Sequence, residues 1–155
     1  MKVEQLMTKA VHACRPEDRL NEAARLMWEH DCGAVPVISS EGNGSVVGMI
    51  TDRDLCMAAY FSGRRLSETS VGEVMSKEVR SCHAADSLSD AEAIMRAGKV
   101  RRLPVVDDAN QLLGLLSIAD LAREARRGRG SKRRDLTEAQ VGDTLAAICE
   151  PGAVA

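Results

Sequence analysis

Apolar residues return at helical spacing along two stretches of the chain: Leu20, Ala23, Ala24 and Met27 in the first, and Leu88, Ala91, Ile94 and Met95 in the second. Each pattern predicts a helix with one buried face. Asp18 and Asp86 stand just ahead as expected N-caps, because a carboxylate there can accept from the free amides of a first helical turn. Pairs of short strand-like runs follow. Residues 34–38 and 46–51 flank a Gly-rich turn at 41–44, and residues 105–106 and 112–116 flank 107–111, which predicts two hairpins. A second helix is expected after each hairpin, over residues 52–59 and 118–126. Farther on, Leu136, Val141, Leu145 and Ile148 give residues 136–148 the face of one more amphipathic helix.

The order of elements occurs twice, and so do the residues. Val3-Glu4-Gln5-Leu6-Met7-Thr8-Lys9 aligns with Val71-Gly72-Glu73-Val74-Met75-Ser76-Lys77 at an offset of 75 − 7 = 68, which also pairs Cys14 with Cys82, Leu20 with Leu88, Met27 with Met95 and Pro36 with Pro104. Two additional residues in the first turn reduce the offset to 114 − 48 = 66, which pairs Gly48 with Gly114, Thr51 with Ser117 and Asp54 with Asp120. The expected fold is α/β (α+β), with two β-α-β-β-α repeats. The first spans residues 1–61 and the second 71–126, joined by a linker at 62–70 and followed by a basic linker and C-terminal helical tail at 127–155. A unit of about 55 residues cannot bury its own sheet, so the copies are expected to pack together with pseudo-twofold symmetry around a cleft.

Composition narrows the class. At 45% hydrophobic and 28% charged residues the chain has the make-up of a soluble globular protein. A net charge of 21 − 23 = −2 provides no general basic field for nucleic acid. No apolar run approaches the ~20 residues of a membrane span, and the charged first eighteen residues lack the apolar stretch of a secretory leader, so a cytoplasmic location is expected. The five cysteines form no Cys-x-x-Cys pair. Three histidines without a paired nucleophile or base signature predict a protein that is not an enzyme and needs no cofactor. His12, Cys14, Cys82 and His83 sit on equivalent lead-in segments and could gather around a metal. Against that, Cys14 and Cys82 fall where the repeat wants a buried hydrophobe, and no metal site is expected.

The informative chemistry sits where each hairpin ends. Gly48-Met49-Ile50-Thr51-Asp52-Arg53-Asp54 matches Gly114-Leu115-Leu116-Ser117-Ile118-Ala119-Asp120, so a hydroxyl opens a helix and a carboxylate follows about one turn later. Two readings are open. The pair could be a helix cap with a structural carboxylate. It could also hold a nucleotide, the helix amides and Thr51 or Ser117 facing phosphate and Asp54 or Asp120 accepting from the vicinal hydroxyls of ribose.

With the lead-in pairs Met7-Thr8 and Met75-Ser76 and the hydrophobic-proline steps Val35-Pro36 and Leu103-Pro104, these segments resemble the cystathionine-β-synthase (CBS) domain family, in its two-copy form, over residues 3–124. The chain is also similar to small stand-alone bacterial members of the hypoxic response type, whose tails end comparably to residues 147–151. The resemblance implies a regulatory pair that binds AMP, ADP, ATP or S-adenosylmethionine. It implies that Asp54 or Asp120 holds ribose, that Thr51 or Ser117 contacts phosphate, and that adenine packs near Val11 with Val35 and Pro36, and near Val79 with Leu103 and Pro104.

The copies differ in ways that predict unequal affinities. Arg101 and Arg102, with Lys99, precede Leu103-Pro104 and could reach a polyphosphate, whereas copy one places Asp52 and Arg53 inside its motif, with an added negative charge close to where a phosphate would go. Apolar positions around Trp28 and residues 58–61 predict a homodimer, with a regulated protein partner unknown. The alternative is a non-catalytic interaction module whose basic run, residues 123–134, binds nucleic acid or protein while the clefts stay empty. With one Trp, one Tyr and one Phe in the chain, nucleic acid is the disfavoured partner.

Overall fold

The first hairpin forms where its β-branched runs predict it. In the computed structural model, which describes residues 1–42, 44–128 and 136–151, β1 (Ala34–Ile38) and β2 (Val46–Thr51) pair antiparallel with Ala34 opposite Thr51. Helix α1 (Leu20–Glu29) precedes the hairpin and α2 (Asp52–Ser62) follows. After the short α3 (Val71–Val74), the order repeats as β3 (Cys82–His83), α4 (Leu88–Gly98), β4 (Arg102–Val106), β5 (Leu112–Ser117) and α5 (Ile118–Arg127). Helix α6 (Glu138–Cys149) closes the described chain. Strand β3 runs parallel to β4, while in copy one the matching position, Cys14, makes a single parallel bridge to Val37.

Two local expectations need correction. Asp18 and Asp86 are not N-caps. Their Oδ2 atoms accept from the backbone amides of Arg15 (2.8 Å) and His83 (2.7 Å), closing the turn before each helix. The caps fall one residue later, at Arg19, which makes no side-chain cap bond, and at Ser87, whose hydroxyl accepts from Asp90 N. Helix α2 runs past residue 59 to Ser62, where Gly63 stops it in the left-handed region at φ 64°, a conformation that costs glycine little.

The chain divides into two compact units that exchange their lead-ins. The copy-one unit comprises Ala10–Val79 with Ala109–Leu112; the copy-two unit comprises Met1–Lys9, Arg80–Asp108 and the described residues from Leu113 onward. In the copy-one unit, Met49 and Ser76 trade two backbone hydrogen bonds (3.0 and 2.9 Å); in the copy-two unit, Thr8 and Leu115 do the same (both 2.9 Å). A glycine is required opposite each lead-in, because a Cβ on Gly48 would stand 2.5 Å from Met75 Sδ and one on Gly114 would stand 2.8 Å from Thr8 O.

The two cores use matched positions. Cys14, Leu20, Ala23, Met27, Val35, Ile50, Leu55 and Val71 cluster in one unit, and Cys82, Leu88, Ala91, Met95, Leu103, Leu116, Leu121 and Val3 in the other. Fully burying one such large side chain contributes about 1.5–3 kcal/mol. The copy-two core is larger because Leu136, Val141 and Ile148 pack into it, the last two from α6. Burial pushes the Cys14 thiol up to about 11, with Asp18 adding to the shift, and the Cys82 thiol up to about 12. Both therefore stay protonated and behave as small hydrophobes.

Candidate functional site

Thr51 ends β2 and caps α2, and Ser117 ends β5 and caps α5. Extended backbone at each cap (φ −120° and −121°) turns the hydroxyl back over the first helical turn. Thr51 N and Oγ1 both donate to Asp54 Oδ2, at 2.8 and 2.7 Å, while Asp54 N donates to Thr51 Oγ1 at 3.2 Å. The second copy reproduces this: Ser117 N and Oγ donate to Asp120 Oδ2 at 2.8 and 2.6 Å, and Asp120 N donates to Ser117 Oγ at 3.3 Å. Each motif is therefore a reciprocal capping box.

The box leaves a definite resource over. A carboxylate oxygen has two lone-pair sites, and both on Oδ2 are engaged in each copy, so Oδ1 is the atom left to meet a ligand hydroxyl. Among the described residues Asp54 Oδ1 has no recorded partner, whereas Asp120 Oδ1 forms an ion pair with Arg123 Nη2. Copy one also has an open cavity of about 600 Å³ lined by Met27, Trp28, Asp31, Cys32, Gly33 and Asp52. Asp52, the first residue of α2, donates its amide to Gly33 O at 3.1 Å, and the copy-two equivalent is Ile118 N to Arg101 O at 2.9 Å.

The remaining candidates divide between the units. Val11, Val35, Pro36 and Val79 belong to the copy-one unit with Thr51 and Asp54; Arg101, Arg102, Leu103 and Pro104 belong to the copy-two unit with Ser117 and Asp120. Val35, Pro36, Leu103 and Pro104 are buried, and Val11 and Val79 are half-buried. Arg102 opens β4, while Arg101 donates to Cys149 Sγ at 3.5 Å and Lys99 Nζ to Glu150 O at 3.3 Å, so both reach the end of α6. Of the basic run, Arg123, Arg126 and Arg127 are exposed on α5, and residues 129–134 lie outside the described residues. His12 stacks on His30 with ring centroids 3.4 Å apart, and among the described residues no group of three or more His, Cys, Asp and Glu could hold a metal. The Arg123–Asp120 ion pair is a contact the motif reading passes over, although the i, i+3 spacing puts both residues on one face of a helix.

A model of the CBS domain matches residues 3–60 and 71–127. The chain belongs to the CBS domain family. It is 41% identical over 120 residues to the CBS domain-containing protein YhcV of Bacillus subtilis (strain 168), covering 77% of this chain and 82% of that protein. Hypoxic response protein I, solved with two coordinated zinc ions, superimposes with a TM-score of 0.71 at 28% identity over 79% of this chain and 98% of that one. CBSX2, solved in complex with AMP, does so with a TM-score of 0.70 at 29% identity over 81% of this chain and 96% of that one. Among the described residues no helix is long and apolar enough to cross a membrane.

Proposed function

We propose that this CBS pair is a cytoplasmic, non-catalytic regulatory module that binds an adenosine-containing ligand, AMP, ADP, ATP or S-adenosylmethionine, and passes its occupancy to a protein partner. The observation that carries the reading is the twofold occurrence of a helix start with a hydroxyl and a carboxylate whose Oδ1 is left over by its own capping box. Asp54 and Asp120 accept from ribose, and Thr51 and Ser117 with the adjoining amides meet the phosphate or its replacement. Val11, Val35 and Pro36 form apolar walls for adenine in copy one, and Leu103 and Pro104 do so for copy two; Arg102, with Arg101 beside it, adds positive charge to copy two. The AMP bound by CBSX2 supports the ligand class.

The module acts as a homodimer in this reading. Helix α6 packs on α4 and α5 of copy two, while copy one leaves Trp28, Tyr60 and Phe61 at 89%, 75% and 78% exposure. An apolar face of that kind favours an isologous contact with a second copy.

Thermal unfolding with AMP, ADP, ATP, S-adenosylmethionine and GTP tests the ligand class. A ligand at a hundred times its Kd adds about 2.7 kcal/mol to the native state, so an adenosyl compound is expected to raise the midpoint and GTP is not. Asp54→Asn and Asp120→Asn keep a cap acceptor and weaken the ribose contact, so the loss of shift identifies the responsible copy. No shift with any adenosyl compound, in protein freed of carried-over nucleotide, overturns the reading in favour of the basic run and a macromolecular partner.

A further inference from the structure

The two capping boxes differ at one atom. Asp120 Oδ1 is held by Arg123, three residues on in α5, and the matched residue in α2 is Met57, at 123 − 57 = 66. The Asp120 side chain is 9% exposed and that of Arg123 is 64% exposed, so a nearly dry carboxylate is met by a cation reaching in from solvent. The exposed guanidinium can swing into solvent, but the nearly buried carboxylate must then be met by other donors, which ribose hydroxyls supply. The freed guanidinium presents a planar fork of donors that matches a phosphate.

We propose that Arg123 makes copy two selective for adenosyl ligands with an anionic 5′ group. This rests on the adenosyl-sensor reading above. Arg123 takes one of the two lone-pair sites on Oδ1, so Asp120 can accept from both vicinal hydroxyls of a ribose only when Arg123 is displaced. A 5′-phosphate gives the displaced guanidinium a new partner; a neutral 5′ group leaves it none. Copy one has no such competitor, and Asp52 rather than Ile118 begins its helix. Without that competitor copy one admits a neutral 5′ group, such as a thioether, at no such cost, while Asp52 and Arg53 offset one another at the start of its helix.

Titration calorimetry with AMP and 5′-methylthioadenosine, which share the nucleoside and differ in the 5′ charge, separates the copies. In Asp54→Asn, which leaves copy two, AMP is expected to bind about tenfold or more tightly than methylthioadenosine. Adding Arg123→Met collapses that ratio to about threefold or less, with methylthioadenosine itself binding more tightly because its competitor is gone. Arg123→Lys retains part of the preference, and a single cooperative unfolding transition in each variant confirms that the substitutions leave the fold intact. Equal affinities in Asp54→Asn, or an AMP preference that survives Arg123→Met, overturn the proposal and leave the sensor reading standing. Binding of neither ligand to the wild-type protein overturns both.

Discussion

The copy-one and copy-two units use matched core positions, and most of what sets them apart lies on their helices. Glu92 and Thr144 are both buried in copy two, where Thr144 Oγ1 donates to Glu92 Oε1 at 3.0 Å and Arg96 Nη1 donates to Thr144 Oγ1 at 3.0 Å. The residues matching Glu92, Arg96 and Lys99 at the offset of 68 are Ala24, Trp28 and Asp31. One copy has thus given its helical face to an added helix, with polar side chains to anchor it, and the other presents an aromatic, acidic surface. Duplication preserved the packing code and released the surface to diverge, because the core positions are bound by volume and the surface ones are not.

The sharpest test of that comparison is truncation inside the cores. Leu121→Ala, at a site with no exposure beneath α6, is expected to cost about 3–5 kcal/mol in denaturant unfolding, and the matched Leu55→Ala, 7% exposed, nearer 2–3 kcal/mol. Equal losses would mean that α6 adds nothing to the copy-two core. A smaller effect is expected from Thr144→Val, which leaves Glu92 buried without its hydroxyl donor and lowers stability by about 1–3 kcal/mol. No change there would break the claim that α6 is anchored by polar contacts. The smallest effect should be the most symmetric: Thr51→Ala and Ser117→Ala each remove a cap acceptor for about 1 kcal/mol, and a large disparity would show that the two boxes are not energetic equals.

Much of this architecture was legible in the sequence. The first hairpin has the predicted ends because β-branched runs and glycines with φ of 83° and 66° enforce them. Helix α2 runs three residues beyond its expected end because the apolar pattern carries no stop signal there, and only the left-handed Gly63 marks the end. Asp18 and Asp86 misled because a carboxylate one residue before a helix can serve the turn behind it as readily as the helix ahead. The exchanged lead-ins were not legible. Val3 and Val71, like Met7 and Met75, are the same residues in the same pattern, so nothing local says which copy each will join. The hydroxyl and carboxylate of each candidate site were visible at once, but the division of labour between Oδ1 and Oδ2 is a matter of geometry that spacing does not carry.

The lead-in exchange also sets a timetable for synthesis. The copy-one hairpin lacks its partner at Met49 until Ser76 has left the ribosome, and Val3 and Thr8 find theirs only once Asp86 and Leu115 have emerged. The copy-one unit closes only once residues 71–79 have followed its hairpin, and the nascent N-terminus must wait, uncommitted, while more than half of the chain is translated. Such late, long-range closure slows folding and lengthens the exposure of apolar segments. It also orders the two copies, because a translation product that stops near residue 79 carries the copy-one lead-in but none of the partners that copy two supplies to residues 1–9.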